Sequence, residues 1–231
     1  MISPTSALTA AVAATFLVAH ALAASVASTV PATYWALQSD AGGCQLPQAT
    51  YTTADALALG QHPALGSLIY SPGLCGKLVT VTCPGGTPVT AVVASTCNLG
   101  SPSCGVDLID RTWRTATGNK PPGQAQCTVS LATDKNPIQS GGPLCYNRPG
   151  TPGSAYYKSL GVLNTGSEIP AAAVFAGVHG SWSNGGWFEF NSGGRELFTN
   201  NAVVVFTHRS GRTASFTLQD CKQSVGVQIF K

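Results

Sequence analysis

The segment VDLIDRTWRTAT, Val106 to Thr117, is the one run in the first half of the chain with helical spacing. Leu108, Ile109 and Trp113 would form an inward stripe, and Gly118 would end it. The flanking sequence is built differently. Pro and Gly recur every few residues, and short β-branched runs lie between them. These are KLVTVTC (Lys77 to Cys83), PVTAVVAST (Pro88 to Thr96), AQCTVSLAT (Ala125 to Thr133), NAVVVFTH (Asn201 to His208) and TASFTLQ (Thr213 to Gln219). Turn residues bound each run, as strands require. RSGR, Arg209 to Arg212, reads as a tight hairpin turn between the last two. The pattern predicts a mainly β protein.

Residues 1–27 stand apart. They hold no Asp, Glu, Lys or Arg, an apolar run from Ala7 to Leu22, and small residues at Ala21 and Ala23, then Ser25 and Ala27. That is the pattern of a secretory signal peptide, with cleavage after Ala23 or Ala27. The apolar run is short for a membrane span and lacks a basic stop-transfer flank. A secreted, extracellular protein with no membrane attachment after signal removal is expected.

All eight cysteines, Cys44, Cys75, Cys83, Cys97, Cys104, Cys127, Cys145 and Cys221, follow that leader. An even number in an exported chain predicts disulfides, and their connectivity stays open. A Cys145–Cys221 bridge is one of the open pairings. No CxxC occurs, and His62, His179 and His208 have no ligand spacing, so metal is not expected. Residues 28–140 hold five basic and five acidic side chains, and residues 141–231 hold seven and four. The net charge of +3 is too small, and too little interleaved with aromatics, for nucleic-acid binding. A Gly-rich phosphate loop between strand and helix is lacking, so no nucleotide or other cofactor is expected.

Asp134 to Ser154 is rich in Pro and Gly and reads as a surface connection. The predicted division is a β-barrel over 28–138, a linker over 139–154 and a β-sandwich over 155–231.

Five motifs stand in order: ATYW (Ala32 to Trp35), GGC (Gly42 to Cys44), CGKLVTVTC (Cys75 to Cys83), VVASTC (Val92 to Cys97) and CGVDLIDRTW (Cys104 to Trp113). In this order, and with the tail VVVFTHRSGRTASFTLQDC, the chain resembles expansins and their microbial relatives. The resemblance implies a six-stranded double-psi β-barrel, shared with family 45 glycoside hydrolases, followed by an immunoglobulin-like sandwich that binds cellulose. Asp107 matches the family's essential aspartate, the general acid of the related hydrolases. A groove lined with apolar groups would raise such a carboxyl's pKa toward the working pH. Its alternative role is to cap the following helix. Asp110 reads as a solvated first-turn acid.

The chain departs from the family at three places. The aspartate of the family's Thr-Asp pair is Thr96 here, after Ser95; the position two residues later is Asn98; and the hydrolases' general base, which follows a Tyr-Trp pair, is Ala36. An inverting glycosidase needs a second carboxyl about 6.5–9.5 Å from the first. Ala36 and Thr96 cannot serve; Asp40 reads as an exposed turn residue before Gly42 and Gly43, the alternative being a second groove carboxylate if the loop before Cys44 folds inward. Losing one member of an acid/base pair costs about 10²–10⁴ in rate, so negligible hydrolysis is expected. Thr33, Tyr34, Trp35, Ser95, Thr96 and Asn98 are expected to bind sugar beside Asp107. Trp113 reads as core, and Trp182 as packed inside or at a strand end. In the second half the family's surface aromatics match Tyr156 and Tyr157, with Phe190 or Trp187 as a further member.

The resemblance implies a monomer that binds cellulose, xyloglucan or other β-glucans of the cell wall and loosens their contacts without hydrolysis. Two other readings remain: a divergent endoglucanase or lytic transglycosylase using Asp107 as acid, and a secreted binding module with a vestigial groove.

Overall fold

The computed structural model describes residues 28–36, 42–97, 102–139, 141–151, 153–183 and 185–231. The leader, Asp40 and Asn98 lie outside the described residues. Six strands come first: β1 (Ser28–Trp35), β2 (Ala56–Leu59), β3 (Leu78–Thr82), β4 (Val89–Thr96), β5 (Val106–Ile109) and β6 (Gln124–Leu131). They close into a barrel in the order β1-β5-β2-β4-β3-β6. Strands β1 with β5, and β2 with β4, pair in parallel; the other neighbours are antiparallel. Closure removes free edges, and its interior is filled by small and β-branched side chains such as Val30, Ala32, Val79, Val93 and Val106.

The segment Val106 to Thr117 divides. Its first four residues are β5, and only Asp110–Thr117 form a helix, α1. A short apolar run is helical or extended according to what lies beside it. Here β1 and β2 flank Val106–Ile109 and take its backbone hydrogen bonds. α1 packs against β5, β4, β1 and β3, burying Trp113 as predicted. Gly118 ends it at φ +69°, where a Cβ would lie 2.2 Å from the carbonyl oxygen of Gly85.

Eight strands follow: β7 (Leu144–Asn147), β8 (Tyr157–Leu163), β9 (Pro170–Phe175), β10 (Val178–His179), β11 (Ser181–Trp182), β12 (Phe188–Asn191), β13 (Val203–His208) and β14 (Thr213–Thr217). They form two sheets, β10-β9-β13-β14 and β11-β12-β8-β7. Phe175, Phe188, Phe190, Phe198 and Phe206 fill the space between them. The RSGR turn joins β13 to β14 with Gly211 at φ +85°. The fold class is the expected one, mainly β, with a six-stranded barrel and then a sandwich. The region 139–154 differs from expectation: β7 lies inside it, paired along β8. Its Leu-Cys-Tyr-Asn core is extended because β8 offers it an unpaired edge, which no local pattern reveals.

The cysteines pair as Cys44–Cys75, Cys83–Cys127, Cys97–Cys104 and Cys145–Cys221. Barrel and sandwich share an apolar junction, since Tyr146, Leu163, Trp187 and Phe230 pack into the barrel's own core. The C-terminal segment returns to the barrel, where Gln228 N donates to Leu46 O at 2.8 Å and Phe230 meets Tyr51 edge-on. Lys77 crosses the same junction. Its buried ammonium donates to Thr165 Oγ1, Gly166 O and Glu168 O. Burial lowers its pKa to about 7, with Glu168 opposing the shift.

Candidate functional site

Residues opposite one another on paired strands point to the same side of a sheet. Thr33 on β1 pairs with Asp107 on β5, Asp107 with Ala58 on β2, and Ala58 with Ser95 on β4. These four side chains therefore form one row across the barrel wall. Trp35, two residues after Thr33, lies on the same side. Its ring packs over Ala58 and the Cys97–Cys104 disulfide.

Asp107 is half-buried at the centre of this row. Thr33 Oγ1 donates a hydrogen bond to its Oδ1. Burial raises the carboxyl's pKa from the ordinary aspartate value, because the row offers less solvation than water. It does not cap α1, whose N-cap is Ile109. Ser95 is buried, and its Oγ accepts from Gly43 N at 2.8 Å, tying the Gly42–Gln45 turn to the row.

Tyr34 and Thr96 fall on the other side. Tyr34 pairs with Leu108 in the interior register, its ring meets Trp113 edge-on at 6.2 Å, and its hydroxyl donates to Asp110 Oδ1 at 3.1 Å. Thr96 pairs with Leu59, whose own neighbour is Val106, and its Oγ1 is buried without a partner among the described residues. Strand alternation separates both from Asp107, so neither joins its row. Asp110 is not merely solvated. Arg114 Nε donates to both its oxygens, at 3.0 and 2.9 Å, and this pairing, with Tyr34, holds its pKa low. Among the described residues, Cys97, Cys104 and Asp107 form a cluster of metal-ligating atom types. Cys97 and Cys104 are bonded to each other, however, and offer no thiolate.

In the sandwich, Tyr157 and Tyr156 remain at the surface. Tyr156 is 41% exposed, and its hydroxyl donates to Glu196 Oε1 at 2.5 Å. Tyr157 pairs with Asn191 on the outer face of its sheet, and Glu189 shares a hydrogen bond with it. Trp187 and Phe190 are not surface residues, which corrects the sequence expectation. Phe190 is 0% exposed in the sandwich core, edge-on to Phe175. Trp187 is 2% exposed, and its Nε1 donates to Cys44 O of the barrel at 3.0 Å. Alternation does place Trp187 on the outer face, but the barrel covers that end of it. Trp182 lies at the end of β11, stacked on Phe188.

Fold and site together define a class: a double-psi β-barrel carrying one half-buried aspartate beside a tryptophan, joined to an immunoglobulin-like sandwich. No family model matches the sequence, and no curated protein matches it. Among solved structures the chain is similar to the apo expansin of Clavibacter michiganensis, with TM-score 0.62 and 20% identity over 85% of this chain and 91% of that one. It is similar also to a mutant of the Clavibacter michiganensis expansin in complex with cellohexaose, with TM-score 0.63, 18% identity and the same coverage. At these identities the shared property is the fold. The recognition of an expansin-like architecture from the ordered motifs holds.

Proposed function

We propose that this chain is a secreted, expansin-like protein that binds cellulose or related wall glucans and loosens their non-covalent contacts without hydrolysis. The observation that carries the reading is the row Thr33, Asp107, Ala58, Ser95 with Trp35 beside it. An aromatic face next to a carboxyl and hydroxyls is what a pyranose ring needs: an apolar surface to stack on and polar groups at its edge. A structural relative of the same fold was solved with cellohexaose, which supports a β-1,4-glucan as ligand.

Asp107 does the polar work. Burial shifts its carboxyl toward the protonated form relative to an exposed aspartate, and a protonated carboxyl donates to a sugar oxygen where a carboxylate accepts. Hydrolysis by inversion requires a second carboxyl as base. Ala36 occupies the place where such a base follows Tyr-Trp, and Asp110 is committed to Arg114 and Tyr34. Loosening needs no bond cleavage. A groove that holds a separated or twisted glucan better than a packed one shifts chains toward the free state, by no more than that difference in affinity. Tyr157 and Tyr156 supply a second glucan contact. Four disulfides suit an extracellular setting.

One observation favours a second reading. A single aspartate with a raised pKa is the acid a lytic transglycosylase uses, because there the sugar's own hydroxyl attacks. The same experiment separates the two. Mature protein acts on cellulose and on isolated cell wall under constant load, with Asp107→Ala as control. Extension without reducing ends or anhydro-sugars, lost in the variant, supports loosening. Sugar release that depends on Asp107 makes the protein an enzyme, and binding to no polysaccharide overturns both readings.

A further inference from the structure

One charged side chain at the junction has no part in the row around Asp107. Arg148 follows β7, and its side chain is only 17% exposed. Its guanidinium spans two bodies. Nε and Nη2 donate to Gln45 Oε1 of the barrel at 3.0 and 2.8 Å; Nη1 donates to Ser183 Oγ and Glu189 Oε1 of the sandwich, each at 3.3 Å.

Both ends of this clasp lead to a glucan-facing surface. Gln45 closes the Gly42–Gln45 turn, whose Gly43 N is bound by Ser95 Oγ, a member of the Asp107 row. Gln45 holds φ +47°, a conformation that side chains with a Cβ rarely adopt. Two N–H groups of Arg148 hold its amide there. At the other end Glu189 shares the outer sheet face with Tyr157 and hydrogen-bonds to it. The polar path therefore runs Ser95, Gly43, Gln45, Arg148, Glu189, Tyr157. Trp187 also joins the two bodies through its Nε1 bond to Cys44 O, and Lys77 and Gln228 bond across the junction as well, but none of these bonds involves Gln45 or Glu189. A planar guanidinium with donors at fixed angles sets a rotation, and an ammonium cannot reproduce it.

We infer that Arg148 is a positioning residue: it fixes the spacing and rotation between the Asp107 row and Tyr157, so that one glucan chain engages both. This rests on the proposed binding function. The second contact is then made within an existing complex, and its worth depends on how well the span is fixed.

The test compares a short and a long soluble ligand, cellotriose and hydroxyethyl cellulose, on the full mature chain. Wild type is expected to bind the long chain far more tightly than the short one. Arg148→Ala should weaken long-chain binding by about tenfold or more and leave cellotriose unchanged, since only the linkage between contacts is lost. Gln45→Ala should give the same split, Arg148→Lys should not restore it, and the double variant should lose no more than either single one. Wild type that binds neither ligand overturns the binding function itself. Wild type whose long-chain advantage survives in Arg148→Ala and Gln45→Ala, or equal loss for both ligands, overturns the role of Arg148 alone.

Discussion

Trp187→Ala separates an aromatic that binds sugar from one that holds the protein together. The ring is 2% exposed and lies so close over Gly161 that a Cβ there would sit 2.8 Å from it. Truncating a buried Trp costs about 3–5 kcal/mol. Loss of the Nε1 bond to the buried Cys44 carbonyl adds about 1 kcal/mol. The total is about 4–6 kcal/mol, which for a chain of this size lowers the thermal midpoint by roughly 10–20 °C. Trp187→Phe keeps a six-membered ring and loses the donor and part of the buried indole, for about 2–3 kcal/mol. Tyr157→Ala provides the converse case: weaker retention on cellulose with a midpoint close to wild type. The assay is scanning calorimetry alongside a cellulose pull-down at a temperature where every variant is folded. A Trp187→Ala protein that melts like wild type but no longer binds cellulose would refute the reasoning, because the ring would then have to be at the surface.

Other expectations follow from the charges and bridges. Because burial raises the folded-state pKa of Asp107, the wild type should lose stability relative to Asp107→Asn as pH rises through that raised value, and the gap should close below the ordinary aspartate range; denaturant midpoints against pH check this. Lys77 has the opposite dependence. Its folded pKa is about 7 and its ordinary value 10.5, so the unfolded chain holds the proton longer and stability should rise between those pH values. Lys77→Met should flatten that rise in the same titration. Removing the Cys145–Cys221 bridge, with its 76-residue separation, should cost about 4.5 kcal/mol by chain entropy. Removing Cys97–Cys104, separated by seven residues, should cost about 2.5 kcal/mol in global stability. That second loss should also weaken glucan binding, because the bridge lies under Trp35.

Much of this protein is legible in its chain. Short β-branched runs between turn residues specify strands, because period-two alternation and turn chemistry act over a few residues. The RSGR hairpin and the apolar Trp113 follow from the same local rules. The ordered motifs led to the expansin-like architecture and to Asp107 as the residue of interest. Other features were decided only when distant segments met. Val106–Ile109 became a strand rather than the first turn of a helix because β1 and β2 lay on either side of it. Leu144–Asn147 became a strand because β8 had an open edge. Tyr34 and Trp35 are adjacent, yet the barrel register sends one to its interior and the other to the Asp107 row. Trp187 and Glu189 share a sheet face, but the barrel buries the first and leaves the second beside Arg148. The four cysteine pairings join segments up to 76 residues apart. Local sequence determines which way a side chain points relative to its own strand; what stands on that side is set by contacts that exist only after the chain has closed.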